Sequence, residues 1–185
     1  MNVVARVKNI LLQPKVEWPQ IAAESATPQS IYLGYVAILA AIGPLAMLLR
    51  MNIVAALVQY IITLVVTFLL ALIVDALATT FGGEKNFVQS LKLTAYSYTV
   101  AWVAAIFLII PILGGIIALL AAIYAWYTFY LGVPVLKKCP QDKAIGYTIV
   151  VVVCGILLGF VLTAFLFSRV IGGGAMYMGG MDLFH

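Results

Sequence analysis

The chain has 185 residues, 65% of them hydrophobic and only 9% charged. A soluble domain is about 25% charged and about 45–50% apolar, so this excess of apolar side chains excludes an ordinary soluble fold and must meet lipid. The formal charge of +4 calls for no nucleic acid, because basic residues beside anionic headgroups account for it.

Residues 1–29 read as a cytoplasmic arm. Val3, Val4, Val7, Ile10 and Leu11 recur at helical spacing, with Arg6, Lys8 and Asn9 elsewhere on the wheel. That pattern predicts a surface helix over residues 2–12, lying in the headgroup plane or serving a partner. Pro14 and Pro19 bracket a segment in which Trp18 is placed to anchor at the interface. No apolar h-region precedes a cleavage site, so a signal peptide is not expected. Thr27-Pro28 has the form of an N-cap followed by proline at the first helical position.

Five apolar runs follow, at about 30–49, 53–80, 93–110, 112–133 and 146–167. Each suits the roughly 20 residues a helix needs to cross a bilayer. The expected fold is an all-α integral membrane protein, a bundle of five transmembrane helices. Between the first two runs only Arg50-Met51-Asn52 remains, which predicts a tight hairpin. After the second, Gly82 and Gly83 permit a turn with positive φ. Asn86 then caps the third helix, with Gln89 in a capping-box position. Pro111 with Gly114 and Gly115 marks a hairpin or a hinge between the third and fourth runs. Gly132-Val133-Pro134 is expected to end the fourth, and Asp142 to cap the fifth. Residues 168–185 form a Gly-rich tail containing Gly172, Gly173, Gly174, Gly179 and Gly180.

Charge orients the bundle. With the N-terminus in the cytoplasm, segments 1–29, 81–92 and 134–145 lie inside and hold eight of the ten Lys and Arg. Only Arg50 and Arg169 fall outside. Short loops obey the positive-inside bias, so the N-terminus is expected in the cytoplasm and the C-terminus outside. Tyr32, Tyr35, Tyr96, Tyr98, Trp126, Tyr127, Tyr130 and Tyr147 gather toward the cytoplasmic span ends. They read as an interfacial belt or as an aromatic docking surface.

Asp75 is the one acid inside an apolar run. Such residues are functional suspects, because an ionised group at mid-bilayer costs at least about 2.5–3.5 kcal/mol. From Ile53, however, Asp75 lies about 33 Å along its helix, near the cytoplasmic boundary. It reads as an interfacial acid or as a proton- or partner-linked one. Gly155 and Gly159 form a small-residue pair suited to close helix packing, within one chain or between copies. The sequence shows no nucleophile triad, metal-ligand cluster, phosphate loop or dinucleotide fingerprint; no catalytic residue, metal or cofactor is expected. Cys139 and Cys154 form no framework, and the only histidine is His185.

Further motifs recur along the chain: Pro14…Trp18…Ile21, Phe81-Gly82-Gly83 with Phe87, Leu91 and Lys92, and Ala95-Tyr96-Ser97-Tyr98. Ile110-Pro111-Ile112-Leu113-Gly114-Gly115, Tyr130-Leu131-Gly132-Val133-Pro134-Val135-Leu136 and Lys143-Ala144-Ile145-Gly146-Tyr147 continue the series. Together they resemble the bacterial inner-membrane branch of the Yip1 domain family. That resemblance implies five spans, a cytoplasmic N-terminus and recurrent positions at Asp75, Gly82, Gly83, Tyr96, Pro111, Gly146 and Tyr147, with no catalytic role. Eukaryotic members bind small GTPases; with so short an arm, that partnership is not expected here. The leading expectation is a non-enzymatic inner-membrane organiser of membrane or partners that forms a homo-oligomer, with a cytoplasmic-facing partner or solute site at Asp75, Gly82, Gly83, Tyr96, Tyr98, Gly146 and Tyr147, in which the Lys137–Tyr147 loop takes part. The alternative is a small oligomeric transporter or channel for ions or a lipid-like solute, using Asp75.

Overall fold

The computed structural model describes residues 2–48 and 52–178. Among them five helices are long and apolar enough to cross a membrane: Pro28–Met47, Ile53–Leu77, Phe87–Ile109, Leu113–Leu136 and Gln141–Leu166. No strand occurs among the described residues. The fifth helix continues past its apolar stretch to Met178, through Gly172, Gly173 and Gly174. Arg50, Gly179, Gly180 and His185 lie outside the described residues.

Capping residues set several starts. Thr27 and Ser30 cap each other's backbone N–H ahead of Pro28, closing a capping box at the first span. Asn52 Oδ1 accepts from Ala55 N–H at the second. Asn86 Oδ1 accepts from Gln89 N–H at the third, but the Gln89 side chain turns away to the Ala22 carbonyl. The first span widens into a single π turn over Tyr32–Val36, from which Tyr35 Oη meets Thr99 Oγ1 at 2.7 Å. The fourth span does not stop at Gly132: it carries Pro134 inside its last turn and ends at Leu136. Nor does Asp142 cap the fifth, because it already sits in that helix's first turn.

The third span is the most enclosed. It packs against the first, second and fourth spans and against the arm, and Leu91, Leu93, Ala95, Tyr96 and Thr99 on it are buried. Leu57, Ile61, Leu157 and Phe160 point outward, as lipid-facing side chains do. Third and fourth spans join through one tight hairpin turn at 110–112, with Ile112 at φ 61. Gly114 packs there on the Phe107 backbone, where a Cβ would stand 2.1 Å from the carbonyl oxygen. Pro111, Gly114 and Gly115 thus belong to the hairpin, as the combined length of the two runs suggests.

The arm departs most from expectation. Its helices, Val3–Leu12 and Pro14–Ala23, fold back on each other and dock against the third and fourth spans. Trp18 is fully buried and its indole N–H donates to the Thr128 carbonyl at 3.0 Å, so it is no interfacial anchor. Ile10 and Ile21 are buried with it. The Tyr124 hydroxyl donates to the Leu11 carbonyl at 2.9 Å, which sets the arm's tip about 18 Å along the fourth span from Leu136. The first helix therefore runs down the bundle instead of lying flat on it. Apolar burial of Ile10, Trp18 and Ile21 and the two hydrogen bonds to the fourth span seat it. Arg6, expected on the polar face, is buried against Glu17 and Glu24 and holds the arm's two helices to each other.

Candidate functional site at the basic end

The turns 78–86 and 137–140 meet at one end of the bundle. Gly82 takes the left-handed conformation at φ 73, and Gly83 N–H returns to the Ala78 carbonyl at 2.8 Å. Glu84 N–H then reaches the Lys137 carbonyl at 2.8 Å, tying the two turns together. Gly83 has to be glycine, since a Cβ would lie 2.8 Å from that same Lys137 oxygen.

Beneath this junction sits a polar cluster. Lys137, with a side chain 0% exposed, places Nζ 3.0 Å from Asp75 Oδ1, 2.7 Å from Ser90 Oγ and 3.2 Å from the Asn86 carbonyl. An ammonium has three protons, and all three are committed. Asp75 Oδ1 also accepts from Ser90 Oγ at 2.9 Å and from Asn86 N–H at 2.8 Å. Burial pushes the Lys137 amine below its ordinary range, against the opposing pull of the Asp75 carboxylate. Beside it the Tyr147 hydroxyl donates to the Val74 carbonyl. The Tyr147 ring stacks on Phe81, centroids 5.0 Å apart. Gly146 makes room, since a Cβ would come within 3.4 Å of the Phe81 ring. The Cys139 thiol donates to the Phe81 carbonyl at 3.1 Å, and burial raises its pKa.

A second cluster holds the arm. Arg6 pairs with Glu17 and Glu24, and Asn9 Nδ2 donates to Glu17 Oε2 at 3.0 Å. Arg6 also lies 5.6 Å from the centre of the Tyr96 ring, which itself packs edge-on to Tyr35 at 4.7 Å. Lys92 is 1% exposed and donates to the Ile21 and Glu24 carbonyls at 2.8 and 2.5 Å. It thereby satisfies carbonyls at the end of the second arm helix, where a cation is favourable.

The structure brings Asp75, Gly82, Gly83, Gly146 and Tyr147 to one place. Tyr96 joins the arm's cluster instead. Tyr98, two residues further round the helix, faces Trp102 and Gly155, whose Cβ would meet its hydroxyl at 3.3 Å. Gly155 thus packs inside one chain, while Gly159 has open space. Sequence reasoning put Lys137 in the candidate loop and Lys92 in a motif but missed what each pairs with, and it missed Ser90, Arg6, Glu17 and Glu24 as partners. The available signal was Lys92 standing five residues past Phe87, well inside a helical turn pattern. Among the described residues no three His, Cys, Asp or Glu gather closely enough to hold a metal ion.

Five apolar helices closed by buried polar clusters define a multi-pass membrane protein. Residues 8–180 match the Yip1 domain, and the chain belongs to that family. Neither curated proteins nor solved structures yield a match.

Proposed function

We propose that the protein is a non-enzymatic organiser of the bilayer. In this reading it sits in the bacterial inner membrane with the arm and basic end toward the cytoplasm, and acts as a homo-oligomer. The observation that carries it is the asymmetry of the bundle. The arm places two extra helices beside the third and fourth spans from the basic end to about mid-span, where Leu11 meets Tyr124 and the cluster around Val100 and Ala121. A body wider in one leaflet than in the other favours a bilayer curved around it, as amphipathic insertions do.

The arm's outward face fits acyl chains: Val4, Leu12 and Val16 are 77, 68 and 58% exposed. Lys8, Lys15, Lys85, Lys138 and Lys143 are also exposed. Those at the basic end each contribute about 1 kcal/mol toward anionic headgroups when near the surface. Asp75, Gly82, Gly83, Gly146 and Tyr147 then act as the frame that keeps this end rigid.

The test is sorting of the purified protein between small and large proteoliposomes. Enrichment in the small ones, reduced by Val4→Gln with Leu12→Gln and Val16→Gln, is the expected result. Equal distribution of the unaltered protein would defeat the proposal. Solute or ion flux in the same vesicles, abolished by Asp75→Asn, would favour a transporter instead. Cross-linking in native membranes reads the oligomeric state.

A further inference from the structure

The bundle holds a third polar feature, away from both clusters. A cavity of about 330 Å³ lies between the first, second, third and fifth spans. Gln59, Thr63, Thr67, Tyr98, Trp102 and Thr163 line it, and none of the described residues around it is charged. Gln59 and Thr67 are eight residues apart, so the polar lining runs about 12 Å along the second span. Its volume falls at the small end of ligand pockets, about 300–1,000 Å³.

The hydrogen-bonding state of this lining is unusual for the interior of a membrane protein. Thr63 and Thr67 donate to the Gln59 and Thr63 carbonyls at 2.9 and 2.8 Å, leaving their hydroxyl oxygens free to accept. The side chains of Gln59, Tyr98, Trp102 and Thr163 have no hydrogen-bond partner among the described residues. These atoms are not sealed in the core but open into this space. In hydrocarbon an unmet polar group costs several kcal/mol, so an occupant that meets them is favoured over an acyl chain. Gln59 amide, Tyr98 hydroxyl and Trp102 indole supply donors; the threonine and glutamine oxygens supply acceptors.

We propose that this cavity binds the uncharged, hydroxyl- and ester-bearing headgroup of a glyceride taken from the bilayer. The charge-free lining discriminates against ions and phosphate-bearing lipids, which would enter without a counter-charge. Mixed donors and acceptors match a free hydroxyl beside ester carbonyls. Ile62 and Val66 of the second span and Ala101 of the third also line it and suit the start of an acyl chain. Asp75 has no part in this site, being held by Lys137 at the basic end.

The experiment uses the full chain in nanodiscs with radiolabelled dioleoylglycerol as the probe, and unlabelled dioleoylglycerol, glycerol and phosphatidic acid as competitors. Saturable binding of one dioleoylglycerol per chain is expected. Gln59→Leu and Tyr98→Phe should each weaken it about fivefold, the effect of one hydrogen bond. Competition by glycerol would show that the headgroup alone suffices; its failure would show that the acyl chains are needed, and either fits the site. Absence of saturable binding, equal competition by phosphatidic acid, or binding untouched by both substitutions would overturn the proposal. Both substitutions remove polarity without adding bulk, and Thr163→Val provides a third, near-isosteric check should either alter the elution profile.

Discussion

Lys137 Nζ stands 3.0 Å from Asp75 Oδ1 although 62 residues separate them. The contact joins the end of the second span to the end of the fourth, and through Ser90 and Asn86 it takes in the start of the third. An acid that would be a liability inside a bilayer is thereby turned into the junction of three helices.

Removing one partner should cost more than removing both. Asp75→Asn leaves a buried ammonium without its counter-charge, which for a fully buried pair costs about 3–5 kcal/mol. Asp75 is 22% exposed, so water softens the loss to about 2 kcal/mol. Asp75→Asn combined with Lys137→Met removes the stranded charge and should recover much of the loss. Denaturation of the three variants in mild detergent measures the coupling; additive effects would show that the two residues do not act as a pair.

The same lysine predicts a dependence on pH. Its amine is depressed by burial below the ordinary 10.5. Between the folded and unfolded values the unfolded chain therefore binds more protons, so stability rises with pH across that window. Below the folded value the penalty of keeping a buried ammonium is present in full. Melting temperature should climb as pH approaches 10.5, and Lys137→Met should flatten that part of the curve. A Lys137→Met profile parallel to the unaltered protein's would assign the slope to another group.

The arm should detach when its seat is filled. A Cβ on Gly132 would stand 2.6 Å from Leu93 Cδ1 and 2.7 Å from the Trp18 ring. Gly132→Val therefore has to eject the indole and break its bond to Thr128. Trp18→Ala empties the same seat, at about 3–5 kcal/mol for a buried Trp truncated to Ala. Both should speed tryptic cleavage after Lys8 and Lys15 in proteoliposomes, because a detached arm frees the helical backbone that a protease must bind extended, whereas Val4→Gln, on the outward face, should not. Unchanged digestion in Gly132→Val would show that Trp18 does not hold the arm.

The spans were legible because hydropathy is local: each needs only its own twenty or so residues to declare itself. Thr27-Pro28, Asn86 and Gly82 were equally readable, since caps and left-handed turns are local chemistry. The arm was not. Arg6 looks like a surface residue until Glu17 and Glu24 are placed around it, and Trp18 between two prolines looks interfacial until Gly132, far along the chain, opens a slot for it. Asp75 could be singled out from its run and Lys137 placed in the candidate loop, but nothing local shows that the two meet across 62 residues. Tyr96 and Tyr98 seemed one site because they are near in sequence; two residues of helix turn them about 200° apart, to different neighbours.

The hairpin between the third and fourth spans separates two adjacent glycines. Gly114 sits where a Cβ would be 2.1 Å from the Phe107 carbonyl oxygen and 2.8 Å from the Leu108 Cα. Backbone cannot move aside as a flexible side chain can, so Gly114→Ala must push the two helix ends apart and break the Gly114 N–H bond to the Ile110 carbonyl, now 2.9 Å. Gly115 has nothing within 4 Å of its Cβ position, and alanine there should be neutral or gain up to about 1 kcal/mol from helix propensity. Gly114→Ala is expected to lower the melting temperature in detergent well beyond any effect of Gly115→Ala, and to reduce the yield of folded protein. Equal behaviour of the two variants would mean that the hairpin is looser than its geometry indicates.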